Sequence, residues 1–155
     1  MWCFNKAGAR NFVLACISVC VVAPSLSDSS NSEGATLVVV GRRDIEVDKL
    51  SAEQVARFYL KQSTTLPSGS AIEPLDLREG TPLYVEFYNR VMGKSPAQVR
   101  AYWARQTFSG MGIPPRQLVS PADAIKVVLK TPGTIAYIQK KDLEDGLKVL
   151  LDTGK

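Results

Sequence analysis

The sequence predicts an α/β fold in which helices cover a small sheet. Short apolar runs rich in β-branched residues alternate with segments that carry helix-start signals and apolar residues at helical spacing. These two kinds of segment interleave along the chain, which is typical of layered α/β structures. The 155 residues allow one domain with a substantial core and leave no room for a second of similar size.

The first part of the predicted domain contains two strands and one helix. Residues 36–40 form an apolar, β-branched run that indicates a buried strand. A capping box, in which Ser51 and Gln54 exchange backbone hydrogen bonds, starts an amphipathic helix. Residues 71–77 alternate apolar and polar side chains, as a half-exposed strand does, and Pro74 favours a position at the edge of the sheet.

A second helix is expected to begin at Pro82. Leu83, Phe87 and Val91 then fall on one helical face, and Gly93 closes the helix.

A further capping box at residues 95–98 starts a third helix, which ends near residues 108–110. Its aromatic residues Tyr102, Trp103 and Phe108 could form a recognition patch. Aromatic residues at helical spacing more often belong to the core, and we favour that interpretation for all three.

The last part of the domain is expected to hold one helix and two strands. Residues 111–117 are interpreted as a loop, and the helix-start signal at Ser120 opens the helix. Strands are predicted at residues 134–138 and 147–151, with a turn before the first of them.

The first 27 residues predict a secretory signal peptide. Lys6 and Arg10 precede an apolar run at residues 12–23, and small and polar residues follow it. Cleavage after Ser27 would leave residues 28–155 as a single periplasmic domain without a membrane span. An uncleaved membrane anchor is the alternative.

Composition argues against several classes of function. Cys3, Cys16 and Cys20 all lie in the predicted signal peptide, so the mature chain would have no disulfide, thiolate metal site or cysteine nucleophile. Processing as a lipoprotein at Cys16 or Cys20 is a less favoured alternative. The sequence contains no histidine, which argues against triad hydrolases and typical zinc enzymes.

The formal net charge is +4, with both signs interspersed, whereas nucleic-acid binders carry clustered positive charge. We therefore expect no enzyme activity, no cofactor, no metal and no nucleic-acid partner.

The segment at residues 76–83 carries the most specific chemistry in the chain. Thr81 is a good N-cap, Pro82 suits the first helical position, and Gly80 allows a tight turn. Arg78 lies close to the same helix start, where free N–H groups and the positive end of the dipole favour an oxyanion. Arg78, Gly80 and Thr81 are therefore the candidate ligand-binding residues. The alternative is a simple helix cap beside a solvent-facing arginine.

Three motifs follow one another in a recognisable order. Residues 50–61 are similar to a helix ending in Ile/Phe-Tyr/Phe-Leu-Gly-Lys, with the glycine missing. Residues 77–81, followed by Phe87, are similar to a shortened Arg-x-x-Gly-Ser-Gly-Thr loop, and residues 132–137 to a Pro-Gly-Ala-Ile-Gly-Tyr strand entry. Together they resemble the phosphate-binding proteins of ABC uptake systems, within the type 2 periplasmic binding protein superfamily. The resemblance covers roughly residues 36–138.

The resemblance implies a three-layer single lobe with a central mixed sheet flanked by helices. It also implies an exported module that binds phosphate or another small oxyanion and works with a membrane transporter or a sensor protein. In that family the arginine, the Gly/Thr amides and the hydroxyl at the helix start bind phosphate, which implies these roles for Arg78, Gly80 and Thr81.

Two departures from the family accompany the resemblance. The family's serine and one of its glycines have no match, and Glu79 adds a negative charge to the loop. The family closes two lobes around its ligand, whereas this chain has the length of one. A single-lobe interaction or assembly module without a small ligand is therefore the alternative function.

Overall fold

A computed structural model describes residues 36–154 and confirms the α/β architecture. Within this range the strands are β1 (Leu37–Arg42), β2 (Glu73–Leu77), β3 (Arg116–Leu118), β4 (Thr134–Gln139) and β5 (Leu147–Asp152). The helices of the same range are α1 (Ala52–Tyr59), α2 (Pro82–Met92), α3 (Pro96–Phe108) and α4 (Pro121–Lys130), and a 3₁₀ turn covers Lys140–Asp142. The signal peptide predicted for residues 1–27 lies outside the described residues.

The strands form one mixed sheet in the order β3-β2-β4-β1-β5. β2 runs parallel to β3 and to β4, whereas β1 runs antiparallel to β4 and to β5. The crossover from β2 to β3 and the crossover from β3 to β4 run in opposite directions across the sheet. Because such crossovers are right-handed, α2 and α3 lie on one face and α4 on the other. The sheet is thus the middle of three layers, as predicted.

Both faces of the sheet are buried. On one face the ring of Tyr137 in β4 stacks on Phe87 of α2, with ring centroids 4.0 Å apart, and Tyr59 of α1 lies beside them. Side chains alternate along a strand, so the buried neighbours Ala136 and Ile138 turn toward the face covered by α4. Residues 36–154 contain one continuous hydrophobic core, and we expect this part of the chain to fold by itself.

The helix starts follow their sequence signals. Both predicted capping boxes are present, at Ser51 with Gln54 and at Ser95 with Gln98. Gly93 ends α2 in the left-handed conformation, as expected for a helix-terminating glycine. Within residues 36–154 no helix is long and apolar enough to cross a membrane.

β2 lies inside the sheet, so the edge position predicted from Pro74 is wrong. Glu73 donates its N–H to the carbonyl of Gly133 on the β4 side, at 2.9 Å, and the nitrogen of Pro74 therefore points toward β3. On that side the pairing begins only at Leu75, opposite Arg116. Because no hydrogen bond of the sheet requires an N–H at Pro74, the proline is compatible with an internal strand.

The predicted loop at residues 111–117 ends in a strand instead. β3 covers Arg116–Leu118 and pairs in parallel with the last three residues of β2. A strand of three residues is too short to show an alternating pattern, and the two prolines before it have the appearance of a loop in the sequence.

Phe108 is 96 % exposed, which corrects its predicted place in the core. Trp103 is buried and Tyr102 is half-buried, so the interpretation holds for the middle of α3. At 100° per residue, Phe108 lies about 140° around the helix from Trp103. Its ring therefore leaves the buried face that Val99 and Trp103 share.

Candidate functional site

The candidate site lies where β2 ends and α2 begins. The N–H of Thr81 donates to the carbonyl of Arg78 at 3.3 Å, which closes a tight turn between strand and helix. Gly80, at the third position of this turn, has a φ of +85°, a conformation that glycine adopts without steric cost. The structure thus brings Arg78, Gly80 and Thr81 together in one exposed turn.

Thr81 is the N-cap of α2, as predicted. Its Oγ1 accepts a hydrogen bond from the N–H of Tyr84 at 3.3 Å and donates to the carbonyl of Arg78 at 3.0 Å. A hydroxyl has only one proton to donate. Thr81 therefore fixes the turn in this structure and would donate to an anion only after releasing the Arg78 carbonyl.

Other donors at the helix start are open. Pro82 has no N–H, and the N–H of Val85 is used by the carbonyl of Thr81 at 3.0 Å. Among residues 36–154, the N–H groups of Gly80 and Leu83 and the guanidinium of Arg78 have no hydrogen-bond partner. Together with the positive end of the helix dipole, these groups favour an anion.

A depression of about 300 Å³ opens beside the turn. Its walls come from the carboxyl ends of β2 and β4, from the residue after β3, and from the first turns of α2 and α4. In open α/β sheets this is where ligands bind, at the point where helices leave toward opposite faces. Thr81 and Leu83 line the depression, whereas Arg78 and Gly80 lie in the turn outside its lining.

Lys141 also lines this depression, and sequence reasoning missed it. It belongs to the 3₁₀ turn after β4, far from α2 in sequence. The adjacent pair Lys140 and Lys141 has the appearance of two solvated lysines in the sequence. In the structure only Lys140 has an ion-pair partner among the described residues, namely Asp152 at 2.8 Å.

The charge of Glu79 is balanced by a residue that the sequence did not suggest. A carboxylate oxygen of Glu79 lies 3.3 Å from the Nε of Arg100 in α3, which leaves the guanidinium of Arg78 without an acidic partner in the described part of the chain. Lys141 and Asp142, adjacent in the 3₁₀ turn, contribute one positive and one negative charge to the wall of the depression. Among the charged groups of the turn, the guanidinium of Arg78 is thus the one that forms no ion pair in the described part of the chain.

Asp76, two residues before the turn, is almost completely buried, with 3 % of its surface exposed. Its Oδ1 accepts hydrogen bonds from the hydroxyl of Tyr137 at 2.5 Å and from the N–H of Leu77 at 2.9 Å. Its Oδ2 accepts from the hydroxyl of Tyr88 at 2.8 Å. This cluster ties the end of β2 to α2 and β4, and so positions the turn that follows.

The buried cluster has shifted acidities. Burial raises the pKa of Asp76 to about 6, outweighing the hydrogen bonds that lower it. Burial and the neighbouring carboxylate also raise the pKa of Tyr88 and that of Tyr137 well above the usual range. Sequence reasoning missed the cluster, because an aspartate in an alternating strand gives no sign of burial unless the strand is known to be internal.

No protein-family profile matches this chain, and no curated protein sequence matches it. Solved structures do match in fold. A Clostridium perfringens protein assigned as a phosphate ABC transporter substrate-binding protein, solved with bound phosphate, matches with a TM-score of 0.60 and 13% identity over 74% of this chain and 44% of that one.

Two further structures match in the same way. An ABC-type phosphate transport receptor from Vibrio cholerae gives a TM-score of 0.57 and 12% identity, over 74% of this chain and 45% of that one. PstS from Borrelia burgdorferi gives a TM-score of 0.55 and 19% identity, over 74% of this chain and 46% of that one. The likeness shows a shared fold. This chain spans less than half the length of these structures.

Proposed function

We propose that this chain is an exported, solute-binding-like module that binds phosphate or a related oxyanion at the start of α2. The observation that carries the proposal is the set of donors without intramolecular partners in the described chain: the guanidinium of Arg78 and the N–H groups of Gly80 and Leu83. The fold shared with phosphate transport proteins supports it.

The proposed binding mode uses both kinds of donor. The two N–H groups donate to oxygens of the anion at the positive end of the helix, and the arginine forms a charge-assisted pair with another oxygen. Thr81 completes the set when its hydroxyl turns from the Arg78 carbonyl to the anion. Lys141, which lines the depression from the 3₁₀ turn after β4, adds positive charge.

An open depression encloses a ligand less completely than a cleft between two lobes. We therefore expect affinity for phosphate in the millimolar to high micromolar range. The module has no catalytic role in this proposal and needs no cofactor. It resides in the periplasm after removal of residues 1–27 and passes its ligand to a membrane transporter or a sensor protein.

Isothermal titration of residues 32–155 with phosphate, and separately with sulfate, tests the proposal. We expect saturable heat with phosphate and an affinity lowered about tenfold or more in Arg78→Ala, because one charge-assisted pair is lost. Arg43→Ala, which removes another exposed arginine with no ion-pair partner among residues 36–154, is the matched control and should bind as the wild type does. Absence of heat, or equal binding by Arg78→Ala, would contradict the proposal.

A second candidate is a single-lobe interaction or assembly module without a small ligand. It is favoured by the length comparison, since the matched structures are more than twice as long as the part that this chain covers. Sizing and pull-down measurements test it. A strictly monomeric protein that captures nothing from its host would contradict this alternative.

A further inference from the structure

The end of α3 carries exposed apolar side chains that the proposed anion site does not use. Phe108 is 96 % exposed, Met111 73 % and Ile113 66 %, and we call these three residues the apolar tip. The N–H of Met111 donates to the carbonyl of Gln106 at 2.9 Å, so the chain after Phe108 folds back onto the last turn of the helix. The tip is therefore one local surface.

The loop of the apolar tip is also fixed by a side chain. The hydroxyl of Thr107 donates to the carbonyl of Gly112 at 3.3 Å, which ties the loop back to α3 a second time. Pro114 and Pro115 then lead into β3. The tip projects from a constrained turn, and its side chains make little contact with their own chain.

The stretch of sequence that carries the apolar tip is cationic. Between Glu86 and Asp123 the sequence has no acidic residue and has five basic ones, Arg90, Lys94, Arg100, Arg105 and Arg116. Arg90 and Arg100 form ion pairs with Glu86 and Glu79. The other three are without an ion-pair partner in residues 36–154.

Two of these free cations adjoin the apolar tip. Arg105 precedes Phe108 by three residues on α3, which places both on the same side of the helix. Arg116 is the first residue of β3, directly after the loop that contains Ile113. Both arginines are exposed.

We propose that the apolar tip docks the protein on an anionic phospholipid bilayer. The three apolar side chains enter the boundary between headgroups and acyl chains, and Arg105 and Arg116 meet lipid phosphates, as in other interfacial anchors. Charge complementarity selects the occupant, since Arg105 and Arg116 are exposed and have no ion-pair partner among residues 36–154. Of the carboxylates that line the depression beside Phe108, Glu79 is paired with Arg100 and Asp76 is buried.

The shape of the tip also favours a bilayer over a protein partner. Protein interfaces concentrate their binding energy in well-packed apolar patches that fit a pocket. Phe108 projects almost without contacts, and a fluid bilayer accommodates such a side chain without a complementary surface.

Co-sedimentation with vesicles tests the proposal. Residues 32–155 are used, so that the apolar run at residues 12–23 cannot contribute to binding. The vesicles contain phosphatidylcholine alone or phosphatidylcholine with an equal part of phosphatidylglycerol. We expect binding to the anionic vesicles, weaker binding as salt rises, and little binding to phosphatidylcholine.

Four variant proteins separate the contributions. Phe108→Ser/Met111→Ser/Ile113→Ser should abolish measurable binding. The single variant Phe108→Ser should weaken binding, and it provides the test if the triple variant folds poorly. Arg105→Gln/Arg116→Gln should lower partitioning by about fivefold for each arginine. Lys126→Gln/Lys130→Gln makes the same change of charge on α4, on the opposite face of the sheet, and should bind as the wild type does.

Three results would overturn the proposal. They are no sedimentation with anionic vesicles, equal sedimentation of the wild type and the Phe108→Ser variant, and equal losses in the two charge variants. Capture of a protein partner through the tip, without binding to vesicles, would also overturn it. None of these results depends on phosphate binding, so the two proposals fail separately.

Discussion

Two neighbouring stretches at the end of β2 differ in whether their polar groups have hydrogen-bond partners. Asp76 is buried, and each of its carboxylate oxygens accepts hydrogen bonds from the protein. In the turn that follows, Arg78 and Gly80 are exposed, and the guanidinium of Arg78 and the N–H of Gly80 have no partner among residues 36–154. The chain thus passes from a fully satisfied polar cluster to an unsatisfied one within about one turn.

The comparison separates structural polar groups from functional candidates. The hydrogen bonds of Asp76 hold β2, α2 and β4 together, so substitution there should change stability. The open donors of the turn stabilise nothing that the structure shows, so substitution there should change ligand binding. Four substitutions can break or sharpen this distinction.

The largest effect is expected from Asp76→Ala. It leaves the hydroxyl protons of Tyr88 and Tyr137 without their acceptor in the core, while the N–H of Leu77 keeps only its bond to the Tyr137 hydroxyl at 3.1 Å. We expect a loss of about 3–5 kcal/mol in the free energy of unfolding at about pH 5, measured with urea. Asp44→Ala, which removes an exposed carboxylate paired with Arg42, is the control and should change stability little.

A smaller effect is expected in the pH dependence of stability. The folded pKa of Asp76 is raised from its ordinary value of 3.8 to about 6, so the folded protein holds this proton more tightly than the unfolded chain does. The resulting stabilisation is complete below about pH 4 and is lost as the pH rises through 6. Relative to Asp76→Asn, the wild type should lose about 3 kcal/mol between these limits. Parallel stability curves for the two proteins would contradict this prediction.

Thr81→Ala should have a moderate effect on stability. The substitution removes the N-cap bond to Tyr84 and the bond to the Arg78 carbonyl. A loss of about 1 kcal/mol is expected in urea unfolding, which is typical of N-cap removal. Phosphate affinity should fall as well, because the turn that holds the open donors is loosened. Thr107→Ala, on α3, controls for loss of an exposed threonine and should keep wild-type affinity.

Arg78→Gln should leave stability nearly unchanged, because the guanidinium has no partner in the described part of the chain. Its effect should fall on phosphate affinity, which we expect to drop about tenfold in titration calorimetry. A loss of stability comparable to that of Thr81→Ala would mean that Arg78 is structural, and would remove the distinction between the two stretches.

The sequence predicts the local features of this region well. The N-cap at Thr81, the proline after it and the glycine that ends α2 each act through their own backbone, so their roles follow from residue type. The turn that brings Arg78 and Gly80 to Thr81 spans only four residues, which is why it was predictable too.

The remaining features depend on contacts between distant parts of the chain. Lys141 enters the depression only because β4 lies beside β2, and Arg100 neutralises Glu79 only because α3 passes the turn. The burial of Asp76 requires that β2 be internal, whereas Pro74 suggested an edge. Pairing order within a sheet is a global property, and no local pattern in this sequence encodes it.

The central claim is that the start of α2 is an anion site and that other helix starts are not. α3 is the internal control, because it also begins with a proline, Pro96, and the N–H of Ala97 is likewise unpaired among residues 36–154. The cation beside its N-cap is a lysine, Lys94, so the comparison tests whether the arginine and the tight turn at α2 are required. Phosphate titration of ¹⁵N-labelled protein measures both helix starts at once. We predict saturable shifts of the Gly80 and Leu83 amide signals and little change at Ala97. Unmoved signals at Gly80 and Leu83, or an equal shift at Ala97, would contradict the account.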